Sequence, residues 1–183
     1  MIIENITKII QKFREAAELA AATTEVIPST STALNSALEQ VIKDEKLVLF
    51  AEPTDINPVL FNEFSKNPKI IKESTKEQLA TVKCGITDAF GAVASTGSVC
   101  VPVTNGLTSP FSMLTRKHIV VLDAKTIVPR PRDVLSNNYL DGKGMTRSFS
   151  YITGTSATAD MGPLVRGVHG PGELHIIILS DDE

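Results

Sequence analysis

Apolar positions define the first element of the chain. Ile2, Ile3, Ile6, Ile9, Ile10, Phe13, Ala16, Ala17 and Ala20 recur at three- and four-residue spacing, with Glu4, Lys8, Lys12 and Glu15 on the other face. That period predicts an amphipathic helix. Val26-Ile27 reads as a short strand stopped by Pro28. Ser29 to Thr32 then offers capping hydroxyls to a second helix carrying Ala33, Leu34, Ala37, Leu38, Val41 and Ile42. Leu47 to Ala51 has the length and composition of a buried strand. A third helix is expected after Pro58, a strand over residues 69–72, and a helix opened by the capping box Ser74-Thr-Lys-Glu77. Strand and helix thus alternate through the first half, which implies parallel βαβ units with right-handed crossovers.

The second half is richer in strands. Ile86 to Ala94 and Val99 to Val103 are strand-like runs separated by Ser95-Thr-Gly-Ser98, a hairpin or tight turn. His118 to Leu122 is a continuous apolar strand, Pro131 starts a helix, and residues 148–152 and 174–179 are later strands. Continuous aliphatic runs at 47–51, 119–122 and 176–179 are what strands buried on both faces require. The expected architecture is a single three-layer α/β domain over residues 1–183, with a mostly parallel sheet and helices on both faces.

Composition narrows the function classes. The 183 residues are 42% hydrophobic and 21% charged, and 18 Lys and Arg against 21 Asp and Glu give a net charge of −3. High apolar content with low net charge excludes disorder. A mildly acidic chain without a basic run does not suit a phosphate backbone or an anionic membrane surface, so no nucleic-acid partner is expected. No stretch reaches the ~20 apolar residues of a membrane span, and no signal peptide is apparent, so a cytoplasmic location is expected. Cys84 and Cys100 read as buried free thiols, and three histidines without ligand spacing suggest no structural zinc. The expectation is a protein without cofactor or metal. The surplus of isoleucine on the first helix also predicts self-association, as a homodimer.

Four segments carry chemistry. Thr96-Gly97-Ser98 follows a strand and offers hydroxyls and backbone N–H groups to an anion, or is a plain glycine turn. Asn105 stands in an Asn-Gly turn dipeptide and is either a turn former or a ligand. Thr155, Ser156, Thr158 and Asp160 are expected to enter a helix, where free N–H groups would attract an anion or the hydroxyls would cap the helix. His169, in Gly167-Val-His-Gly-Pro-Gly172, is a proton-transfer candidate or a structural loop histidine. His118 and His175 flank strands and read as structural. The glycine-rich 167–172 segment precedes a strand and no helix, so it is not a dinucleotide fingerprint. Gly154-Thr-Ser-Ala-Thr158 misses the nucleophile-elbow pattern at its last position.

Read in order, Gly85 to Ser98, Asn105-Gly106, His118 to Val121, Ile127-Val-Pro129, Thr153 to Asp160 and Gly167-Val-His-Gly-Pro171 resemble the LUD-domain family over about residues 80–180. The resemblance implies a fold like that of glucosamine-phosphate deaminase, ribose-phosphate isomerase and CoA transferases. It also implies a part in oxidising L-lactate to pyruvate beside iron–sulfur partner proteins. Two positions depart from the family pattern. Ser95 stands where Glu is common before Thr-Gly-Thr, and Gly154-Thr155-Ser156 replaces Gly-Pro-Ser.

The functional expectation is therefore a component of lactate utilization that binds a small carboxylate or a partner protein at loops on the carboxyl ends of strands. One alternative is a stand-alone transferase or isomerase acting on a phosphorylated or CoA-linked substrate. Another, favoured by Ser95, is a catalytically silent regulatory subunit. The proposed cleft is lined by Thr96, Gly97, Ser98, Asn105, Thr155, Ser156 and Thr158. In it His169 would move the proton and Asp160 would orient it.

Overall fold

Six parallel strands organise the computed structural model, which describes residues 2–103, 108–136, 148–160 and 162–181. In chain order these strands are β1 (Thr23–Pro28), β2 (Val48–Phe50), β3 (Ile70–Ile71), β4 (Cys84–Ala89), β7 (Lys117–Asp123) and β12 (Glu173–Ser180). The remaining strands are β5 (Gly91–Val93), β6 (Ser98–Pro102), β8 (Ile127–Val128), β9 (Phe149–Thr153), β10 (Ala157–Thr158) and β11 (Val165–Arg166). The central sheet has the order β1-β12-β7-β4-β2-β3. Every neighbouring pair in it is parallel. Ile119 to Leu122 and Ile176 to Leu179 are buried, as a parallel sheet covered on both faces demands.

Helix α1 (Ile2–Leu19) lies on one face and α2 (Ser31–Val41) on the other. Leu34 and Leu38 of α2 pack with Val48, Ile86, Ile119, Val121 and Ile177. Phe13 and Ala17 of α1 pack with Val120, Leu122, Ile176 and Ile178, the alternate positions of the same strands. Two short helices, α3 (Lys76–Thr81) and α4 (Thr108–Met113), extend the α1 layer over Leu49 and Ala51.

The α1 face also carries a second sheet of order β8-β5-β6-β9. Its inner side chains Ala92, Ala94, Val99 and Val101 join the α1 core. Its outer ones, Val93 and Cys100, pack with Phe90 and Phe149 beside Val134 of α5 (Pro131–Val134). The result is a three-layer α/β fold with a mostly parallel sheet. Among the described residues no helix is long and apolar enough to cross a membrane.

Three local expectations are corrected. The run from Ile86 to Ala94 is not one strand: it breaks at Phe90, whose N–H donates to Cys100 O at 3.1 Å, and the chain changes sheets there. The segment after Pro58 forms two short 3-10 turns, because Phe61 and Phe64 must both reach Phe50, with ring centroids at 5.4 and 5.8 Å. Residues 155–160 do not enter a helix. Ala157 and Thr158 instead pair antiparallel with Arg166 and Val165. Gly154 and Gly162, both at positive φ, flank the segment, and β-branched Thr158 suits a strand. No helix terminus is therefore available there to hold an anion.

Candidate functional site

The predicted site residues fall into a core group and an outer group. Ser98 is the first residue of β6 and pairs in register with Thr153, the last of β9. Their hydroxyl oxygens are 2.7 Å apart, and Thr96 Oγ1 adds a third hydroxyl 2.7 Å from Ser98 Oγ. Ser98 is buried between two exposed residues, Thr96 and Thr153, so its hydroxyl is the covered middle of the chain. Beyond it, Thr155 N–H donates to Ala20 O at 3.3 Å. Ser156 is tied through its backbone to the glycine-rich turn: its N–H donates to Pro171 O at 2.8 Å, and its carbonyl accepts from Gly167 N–H at 2.9 Å. Two distant motifs, 96–98 and 153–156, thus meet beside the end of α1, and the 167–171 turn is tied to the second of them at Ser156.

The outer group is looser. His169 and Asp160 are both exposed, and among the described residues they do not pair with each other. Thr158 sits in β10, where its hydroxyl accepts from Asp160 N–H at 3.4 Å. Asn105 lies outside the described residues.

A cleft of about 240 Å³ adjoins Thr155. Its walls include Thr23, Lys117, Arg166, Glu173 and His175. Thr23, Lys117 and Leu174 begin β1, β7 and β12 or lie next to their starts, so the cleft sits at the amino edge of the central sheet. This corrects the expected place: these loops follow the carboxyl ends of β5 and β9 in the small sheet, but face the amino ends of the central strands.

Within the cleft the polar groups are unequally engaged. Lys117 Nζ donates to Val41 O, the last residue of α2, at 2.8 Å. His175 is clamped, with Nδ1 2.7 Å from Thr23 Oγ1 and Nε2 3.0 Å from Glu25 Oε1. Arg166 is exposed and has no acidic partner among the described residues, which leaves its guanidinium available to an anion. Sequence reasoning missed Arg166. Its position directly before Gly167-Val-His is the signal that could have shown it.

Asp88 and His118 are buried ionisable residues outside the cleft. Asp88 is the penultimate residue of the wholly buried β4, and its Oδ2 accepts from the N–H groups of Thr54, Asp55 and Ile56 at 2.8, 2.7 and 3.2 Å. Burial pushes its carboxyl above the ordinary range against the pull of those donors. An aspartate inside an otherwise apolar strand was the available sign. Burial likewise pushes the thiols of Cys84 and Cys100 up to about 12, which makes both unreactive.

His118 is fully buried in β7, with Nε2 2.9 Å from Thr87 Oγ1 and Nδ1 unpartnered among the described residues. Burial lowers its value from 6.5 to about 3. The unfolded chain therefore takes up this proton first. The stability His118 confers is complete above pH 6.5 and drains away as pH falls toward 3, at about 1.4 kcal/mol per pH unit. We expect denaturant unfolding of His118→Gln between pH 6 and 4 to show a slope shallower by about one proton than wild type. Parallel slopes would show that His118 is not neutral in the fold.

Comparison with known proteins then places the molecule. The sequence pattern described as the LUD domain matches residues 10–179. The chain belongs to the LUD domain family. The LUD domain here is 28% identical over 181 residues to Lactate utilization protein C of Bacillus subtilis, covering 86% of this chain and 73% of that protein. It is 26% identical over 123 residues to Lactate utilization protein B of Shouchella clausii, covering 64% of this chain and 25% of that protein. Among solved structures, a DUF162 family protein from Deinococcus radiodurans superposes with a TM-score of 0.68, covering 96% of this chain and 98% of that one at 17% identity. At that identity the likeness speaks to the fold, which a full-length superposition supports for the LUD domain as a whole.

Proposed function

We propose that this LUD domain serves in lactate utilization, binding a small carboxylate at the cleft beside Thr155 and working with iron–sulfur partner proteins. The observation that carries the reading is the similarity to Lactate utilization protein C across most of the chain, joined by similarity to a Lactate utilization protein B. The cleft supports it chemically. Arg166 supplies a cation and Thr155 a hydroxyl, and the adjoining turn, tied to the Ser156 backbone, carries His169. A carboxylate would sit against the guanidinium, and His169 on the adjoining turn is the group that would take the hydroxyl proton while the electrons pass to the partner proteins.

Growth tests the reading. A deletion strain is expected to grow on glucose and fail on L-lactate, and the wild-type gene to restore growth. Arg166→Glu and His169→Ala should not restore it, although both side chains are exposed and their melting temperatures should stay within about 2 °C of wild type. In titration with L-lactate, removing Arg166 should weaken binding by about 1–3 kcal/mol. Normal growth of the deletion strain on lactate would overturn the proposal.

A further inference from the structure

A second cleft opens at the opposite edge of the central sheet. Its volume is about 460 Å³, and it lies between α1 and the turn that leaves the carboxyl end of β7. Ile9 on the helix and Ile127 on β8 form its apolar walls, with Ala94 and Ala124 between them. Three lysines stand around this surface: Lys8 and Lys12 on one side of α1, a single turn apart, and Lys125 across from them. Among the described residues no carboxylate lines the cleft.

The lysines are not equivalent. Lys125 Nζ is held by Asp181, which follows β12, so that wall is fixed and its charge is compensated. Lys8 and Lys12 are exposed and have no acidic partner among the described residues. A chain of net charge −3 thus places beside an apolar trough two ammonium groups that no carboxylate among the described residues compensates. The volume falls in the range of small-molecule sites, and the place, outside the carboxyl ends of parallel strands, is where open α/β sheets bind ligands.

Each feature selects a ligand property. The isoleucine walls require an aliphatic portion, because an all-polar ion would gain nothing from them. The lysines require an anionic head. They act as separate point charges without the forked donors that grip a phosphate in two places, so a single carboxylate suffices. We infer that this cleft binds a medium-chain aliphatic monocarboxylate, with its chain along Ile9 and Ile127 and its head between Lys8 and Lys12. The site is at the other edge of the sheet from Thr155 and does not depend on the lactate reading.

Isothermal titration of the full chain with octanoate, below its micellar concentration, tests the inference. Saturable one-to-one binding is expected. The double variant Lys8→Glu/Lys12→Glu should bind about tenfold more weakly, since two exposed charge contacts of up to ~1 kcal/mol each are removed. Reversing an exposed lysine elsewhere, Lys76→Glu, should change nothing. Octylamine, with the same chain and the opposite charge, should not bind, and L-lactate should not displace octanoate. Absence of octanoate binding, equal binding of octylamine, or full retention by the double variant would overturn it.

Discussion

Gly154→Ala is expected to lower the melting temperature by at least roughly 6–12 °C. Gly154 sits at φ +64, where a side chain costs about 1–2 kcal/mol, and its added Cβ would lie 1.9 Å from Ala20 O. The obstacle is backbone at the end of α1 and cannot rotate away. Gly97 meets the same helix in the same manner: φ is +65 and a Cβ would lie 2.2 Å from Ala17 N. Strain and clash together come to at least about 3 kcal/mol, which for a domain of this size shifts the transition by the stated amount. Circular dichroism melts of Gly97→Ala and Gly154→Ala check this. An unchanged melt would mean that α1 does not rest on these turns. The result also bears on function, because any loss of activity in either glycine variant would report a displaced helix. Ser98→Ala and Thr153→Val, which leave the packing intact, are the variants that question the hydroxyl chain itself.

Asp88→Ala should cost about 3 kcal/mol, since three backbone N–H groups at residues 54–56 would lose their shared acceptor in a largely buried setting. Asp88→Asn should cost distinctly less, because an amide oxygen can take the same three donors. Urea unfolding measures both. Equal losses would show that the charge, and not the acceptor, secures the loop.

Much of this architecture is legible from local pattern. The isoleucine spacing of α1, the hydroxyls before α2 and the aliphatic runs at 119–122 and 176–179 each declare an element, because burial on a helix face or within a parallel sheet imposes its own period. What the pattern does not carry is pairing between distant segments. Nothing local shows that Phe90 marks a change of sheet, or that β12 lies between β1 and β7. Residues 155–160 mislead for a related reason. Thr, Ser and Asp serve equally well before a helix and in a short ribbon, and the partner that decides, Val165-Arg166, is remote from any helix signal. The meeting of Ser98 with Thr153 follows from β6–β9 pairing across 55 residues, whereas the open guanidinium of Arg166 is set by a hairpin that the motif alone does not reveal.

The place of β12 has a consequence for how the molecule comes into being on the ribosome. Glu25 of β1 waits for His175, 150 residues later, to fill the gap beside it, and β7 waits for the same strand on its other side. At about 5–20 residues per second, that interval lasts roughly 8–30 s. Throughout it the edge of β1 is open, and over its last third, once β7 has been made, a second edge and the apolar surface later covered by Ile176 to Leu179 face the surrounding medium too. The nascent chain is thus most open to wrong pairing just before β12 emerges, and a pause between β7 and β12 would be more damaging than one before β7.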